Sequence, residues 1–165
     1  LPILCVLEKG AEPGAHTLSG NVFDPRAMDE LFPAEGPHAF DWRGALPAGT
    51  AVPVAPAEER SLWLTAGGGS LPLPTPPSMH NAPDHLVCSL SMLTRVMAER
   101  AEAAGVDVFP GFAASELLRC PDTGNLAGVA TGDFGVSKGG ERTVNFTRGV
   151  AVRARATLIA EGCRG

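Results

Sequence analysis

SLSMLTRVMAERAEAAGVDVF, residues 89–109, is the stretch on which the fold turns. Leu90, Leu93, Met97, Ala101 and Ala104 fall on one helical face, while Arg95, Glu99, Arg100 and Glu102 lie off it. That spacing predicts an amphipathic helix over Ser89–Ala104, capped by Gly105. Val106–Phe109 follows at once as a short strand. Upstream, the apolar run Leu1–Leu7 ends in Glu8 and reads as a buried strand. A strand, a helix and a second strand imply a parallel crossover. Downstream, Ala113–Arg119, Leu126–Thr131 and Thr143–Arg153 read as antiparallel strands. They are joined by the turn-rich stretches Pro121-Asp122-Thr123-Gly124 and Lys138-Gly139-Gly140. Ala156–Ala160 reads as a last buried strand. The expected fold class is therefore α/β (α+β), a parallel sheet plus an antiparallel β-meander.

Between the first strand and the helix the signals are weaker. Residues 10–24 contain Gly10, Pro13, Gly14 and Gly20 and read as an ordered loop. Asp24-Pro25 marks a helix start, with Asp24 as N-cap, and the helix Arg26–Phe32 stops at Pro33. Residues 33–60 show little periodicity, so an extended excursion is expected, with one short strand near Thr50–Val54. Leu62-Trp63-Leu64 and Leu71-Pro72-Leu73 flank a Gly67-Gly68-Gly69-Ser70 turn, a hairpin with apolar arms.

Composition narrows the function. Hydrophobic residues make up 44% and charged residues 19% of 165, enough apolar material for a core. The formal net charge of −5 argues against a nucleic-acid partner. No run of eighteen apolar residues exists to cross a membrane as a helix. Cys5, Cys88, Cys120 and Cys163 form no CxxC pair and read as small buried hydrophobes in a reducing compartment. His16, His38, His80 and His85 make no metal-ligand spacing, so no metal site is assigned. Ser19, Ser61 and Ser70 lie outside any GxSxG elbow.

Three segments could carry chemistry. Glu8 stands at the carboxyl end of a strand, where an acid can bind an adenosine ribose; equally, it can be a solvated charge. Gly14-Ala15-His16-Thr17-Leu18-Ser19-Gly20 combines hydroxyls, an imidazole and glycines, which suits a flat ligand or an ordinary surface loop. Ala160-Glu161-Gly162 ends a strand and can lie beside a cofactor or simply turn. The 61–77 hairpin reads either as core or as a patch resting in a bilayer interface, a setting that suits Trp63.

VLEKGAEPGAHTLSGNVFDPRAMDELFP (6–33), PPSMHN (76–81), AERAEAAGVDVFPGFAASELL (98–118) and LIAEGCRG (158–165) occur in this order. Together they resemble the electron transfer flavoprotein–ubiquinone oxidoreductase family over nearly the whole chain, least between Ala34 and Glu59. The resemblance implies part of an FAD/NAD(P)-binding Rossmann-like fold. On that basis the chain is expected to be an internal fragment of the FAD-binding domain. It would lack the N-terminal GxGxxG unit and the C-terminal iron–sulfur domain with its 4Fe–4S cluster. The resemblance further implies that Glu8 binds the FAD ribose and that Gly14, His16, Thr17, Leu18, Ser19 and Gly20 line the FAD. Ala114 would pass the adenine, and Ala160, Glu161 and Gly162 would approach the phosphate and ribose region. Leu62, Trp63, Leu64, Leu71 and Leu73 would rest on the membrane near the quinone site. The implied activity is electron transfer from reduced electron transfer flavoprotein to ubiquinone, with no catalytic side chain. The implied location is the cytoplasmic face of a bacterial inner membrane, or the mitochondrial inner membrane. The isolated stretch is expected to be inactive. A geranylgeranyl-reductase or FixC-type flavoprotein, or a cofactor-free α+β interaction domain, are the alternatives.

Overall fold

A computed structural model describes residues 3–18, 20–53, 60–137 and 139–162. Leu1, Ser19, Val54, Lys138 and Cys163, each part of an expectation above, lie outside the described residues. The chain divides into two compact units, one of residues up to Ala15 and from Ala98 onward, the other His16–Met97. The architecture is mixed α/β, with small parallel and antiparallel sheets.

In the first unit β1 (Cys5–Glu8) pairs in parallel with β7 (Asp107–Pro110), placing Glu8 opposite Pro110. The parallel pairing expected from the pattern is present. Burial of β1 is not: Leu4 and Val6 are exposed. A parallel strand is buried only when layers cover both its faces, and among the described residues β1 and β7 form a sheet of two strands that leaves the apolar side chains of Leu4 and Val6 exposed. β8 (Ala114–Arg119), β9 (Leu126–Thr131) and β12 (Ala151–Arg153) form the antiparallel sheet β12-β9-β8.

The long strand expected over Thr143–Arg153 is in fact two. Its first part, β11 (Arg142–Thr147), pairs with β10 (Phe134–Val136), and only β12 returns to β9. The chain turns a corner between them. Gly149 N–H donates to Asp133 Oδ1 at 2.8 Å and Val150 N–H to Thr131 Oγ1 at 3.0 Å. A Cβ on Gly149 would run into the Thr131 carbonyl, so the close approach requires glycine. The strand expected over Ala156–Ala160 does not form, and Leu158 is 91% exposed. An apolar run alone does not make a strand; its backbone needs a ladder partner.

The second unit holds a sheet that periodicity did not reveal, β2-β6-β3, from β2 (Asn21–Phe23), β3 (Ala51–Pro53) and β6 (Leu86–Cys88). The short strand expected near Thr50–Val54 is β3. The described residues form two α-helices, α1 (Arg26–Leu31) and α2 (Leu90–Ala103). At the start of α1 the cap position is Pro25 rather than Asp24. The Asp24 carboxylate instead accepts Arg26 N–H at 3.1 Å and pairs with its guanidinium, which holds the carboxyl at about 2. α2 ends in a Schellman turn: Gly105 N–H donates to Glu102 and Val106 N–H to Ala101, with Gly105 at φ +89°. Leu93 and Val96 are its buried residues, while Ala104 is exposed.

The core of this unit gathers Met28, Trp42, Leu46, Leu86, Cys88, Leu93 and Val96. Trp42, at 1% exposure, comes from the stretch read as an extended excursion. Phe23 meets it edge-on at 6.0 Å, and Phe32 meets Phe40 at 5.1 Å.

Candidate functional site

Glu8 closes β1 with its side chain folded back, so that its Oε1 accepts the Gly10 N–H. Gly10 is buried. A Cβ there would lie 2.9 Å from that carboxylate oxygen and 3.1 Å from the Glu12 carbonyl. A side chain at this position would crowd the acid and the Glu12 carbonyl, so glycine favours closure of the turn over the acid. Two further bonds lace this turn to the end of β7: Gly111 N–H to Gly10 O at 2.7 Å, and Phe112 N–H to Glu8 O at 3.0 Å. The carboxylate thus accepts one backbone N–H at the strand end, and the backbone of Glu8 and Gly10 is tied to the residues that follow β7. A carboxylate has about four lone-pair sites, and one N–H occupies only one of them. Such a group can accept hydrogen bonds from ligand hydroxyls.

Gly14 is buried at φ +82°, and Ala15 N–H returns to Glu12 O at 3.1 Å. His16, Thr17 and Leu18 are exposed, and Gly20 sits at φ +75° with open space where a Cβ would be. Glu8 and Gly14 belong to the first unit, and the loop from His16 to the second. Ser19 lies outside the described residues.

Ala114 opens β8 opposite Thr131 and is exposed. Ala160 and Glu161 are exposed as well, and they end no strand, contrary to expectation; Gly162 has φ +76°. The backbone there therefore carries no ladder that would fix its aim.

The apolar hairpin forms as expected. β4 (Ser61–Leu64) and β5 (Ser70–Leu73) pair with Trp63 opposite Leu71 and Leu62 opposite Pro72. The turn runs over Thr65–Gly69, starting two residues earlier than expected, because Thr65 N–H reaches Gly69 O at 2.9 Å and Thr65 Oγ1 accepts Gly69 N–H at 3.0 Å. The arms are not core: Trp63 is 62% and Leu64 75% exposed, and Leu62, Leu71 and Leu73 are exposed too. From Ser61 to Met79 the sequence holds no ionisable side chain. No helix among the described residues is long and apolar enough to cross a membrane.

Sequence reasoning passed over a set of aromatic rings in the first unit. Phe109 and Phe112 meet edge-on at 6.2 Å, and Phe112 and Phe134 stack at 6.5 Å. An aromatic two residues past the end of a strand, as Phe112 is, was the available signal.

Of the cysteines, Cys88 alone is buried among those described, and burial pushes its thiol pKa up. Cys5 and Cys120 are half-buried, which corrects the reading of all four as buried hydrophobes. The Thr123 hydroxyl bonded to Cys120, with backbone bonds from Thr123 and Asp122, lowers that thiol. Among the described residues no three His, Cys, Asp or Glu side chains converge to hold a metal ion.

No family model matches the chain. Curated proteins do. The chain is 44% identical to the mitochondrial electron transfer flavoprotein-ubiquinone oxidoreductase of Dictyostelium discoideum, over 98% of its own length and 25% of that protein. It is 46% identical to the mitochondrial protein of that name from Oryza sativa subsp. japonica, over 98% and 26%. With the electron transfer flavoprotein-ubiquinone oxidoreductase of Pseudomonas aeruginosa it shares 42%, over 98% and 28%. It spans about a quarter of the length of these relatives.

Proposed function

Because this chain belongs to the electron transfer flavoprotein–ubiquinone oxidoreductase family, we propose that it forms part of an FAD site in a protein carrying electrons from electron transfer flavoprotein to ubiquinone. The observation that carries the reading is the Glu8 carboxylate, held at the end of a parallel strand by Gly10. An acceptor at the carboxyl end of such a strand suits the ribose hydroxyls of a dinucleotide. When bound, FAD supplies the redox chemistry. The chain's own residues bind and orient: Glu8 takes the ribose, and Gly14, with the loop His16–Gly20, lines the cofactor. Ala114 lies along the adenine, and Ala160, Glu161 and Gly162 approach the phosphate and ribose region. No side chain is assigned as acid or base. No group of side chains among the described residues fits a 4Fe–4S cluster; in this reading the cluster's ligands lie outside the described residues.

The 61–77 hairpin is the membrane contact in this reading. Its support is the exposure of Leu62, Trp63, Leu64, Leu71 and Leu73 in a stretch without ionised groups. The protein rests peripherally on a bacterial inner membrane at its cytoplasmic face, or on the mitochondrial inner membrane.

The test is Glu8→Ala in the complete protein, with flavin and iron measured after gel filtration. Loss of flavin from the variant supports the ribose role, and undiminished flavin overturns it. Flavin with iron in the parent supports the oxidoreductase reading, whereas flavin without iron favours a geranylgeranyl-reductase type. Neither cofactor would leave a cofactor-free domain.

A further inference from the structure

We infer that Phe112, flanked by Phe109 and Phe134, is the face on which the adenine ring of the dinucleotide stacks; this rests on the FAD reading above. The three rings come from three places: Phe109 in β7, Phe112 just beyond it and Phe134 in β10. Phe112 pairs with each of the other two, yet all three are exposed, Phe112 by 40%. Rings gathered at the surface leave apolar faces in water, which is costly unless something covers them. Their placement selects what covers them. Phe112 donates its N–H to the carbonyl of Glu8, and its neighbour Gly111 donates to Gly10, the residue whose N–H holds the Glu8 carboxylate. The acid and the aromatic face are therefore carried by one laced pair of turns. Gly111, at φ +83°, makes the sharp turn that delivers Phe112, and Phe134 rests 3.5 Å from where its Cβ would be. A hydroxyl acceptor and a flat apolar surface carried on the same hydrogen-bonded turns match a purine nucleoside. The sugar hydroxyls donate to the acid, and the base, which has a π-face, covers the ring. A purely apolar partner would have no use for the acid.

The experiment uses the complete protein freed of flavin and titrated with FAD and, separately, with FMN, which lacks the adenosine. Phe112→Ala should weaken FAD binding on the order of ten- to a hundredfold, the range that loss of one base–aromatic stack produces. FMN binding should be unchanged. Phe112→Trp should restore FAD affinity, and its new indole fluorescence should be quenched by FAD. Equal FAD affinity in parent and Phe112→Ala overturns the stacking role while leaving the FAD reading intact. Failure of the parent to bind FAD overturns both. If Phe112→Ala does not fold, Phe112→Trp decides: quenching by FAD upholds the stack, and an indole blind to FAD overturns it. A change in sedimentation of Phe112→Ala without a change in FAD affinity would assign the rings to a protein contact instead, and also overturns the stack.

Discussion

Asp29 Oδ1, in α1, accepts the indole N–H of Trp42, thirteen residues on, at 3.0 Å. Arg43 pairs with the same carboxylate and lays its guanidinium over the Trp42 ring at 4.3 Å. The most buried ring of the chain thus has its single polar atom satisfied by a helix residue, and that bond pins the 33–50 stretch to α1.

Removing the acceptor should be costly. Asp29→Ala leaves the buried indole N–H without its carboxylate, and the expected loss is about 1–3 kcal/mol. The Arg43 guanidinium hydrogen-bonded to Asp29 holds its carboxyl below the ordinary 3.8, so this contribution is present above that value. It is lost as the pH falls through the lower folded value. Thermal melts of parent and Asp29→Ala should converge on acidification below about pH 4. A constant gap across that range would show that the carboxylate charge plays no part.

Gly128 sits in β9 at φ +141°, and a Cβ there would lie 2.9 Å from Arg153 Cα and against the Val152 backbone. Gly128→Ala should therefore separate β12 from β9, at a cost of roughly 1–3 kcal/mol. Hydrogen exchange at Val129 and Ala154 should accelerate in the variant, while exchange in β2-β6-β3 should not.

The described thiols should separate by reactivity. Cys120 has its pKa lowered first by the Thr123 hydroxyl, whereas burial raises that of Cys88. At neutral pH iodoacetamide should modify Cys120 well before Cys88, as read by peptide mass spectrometry. Thr123→Val should slow Cys120 and leave Cys88 alone.

Trp63→Ser together with Leu64→Ser should reduce partition of the complete protein into liposomes. With no ionised group from Ser61 to Met79, partition should also be insensitive to anionic lipid and to salt. Neutral phosphatidylcholine vesicles and vesicles that also contain anionic lipid, each at low and high ionic strength, provide the measurement. Unaltered partition of the double variant would return the hairpin to a protein-facing role.

Much of this was legible along the chain, because the interactions responsible are local. The α2 helix with its Gly105 cap, the Arg26 helix start, the Thr65–Gly69 hairpin and the Glu8 strand end all follow from period, turn chemistry and short-range bonds, although the buried Val96 lies off the expected α2 stripe and Ala104, on it, is exposed. The family resemblance rests on GAHTLSG and LIAEGCRG in the same way, as ordered local words. What the sequence did not disclose depends on partners far away in the chain. Strands of three residues such as β2 and β6 are too short to show a period, and they exist because backbone groups more than sixty residues apart pair. Ala156–Ala160 has the composition of a strand but no ladder partner among the described residues, and it is irregular. Trp42 is core only because Asp29 and Phe23 reach it, and Phe112 stands beside Glu8 only because β1 and β7 lie in parallel register. Local periodicity and turn chemistry are set by neighbours a few residues apart. Which strand finds a partner, and which ring finds an acid, is settled only when distant backbone is brought within hydrogen-bond reach.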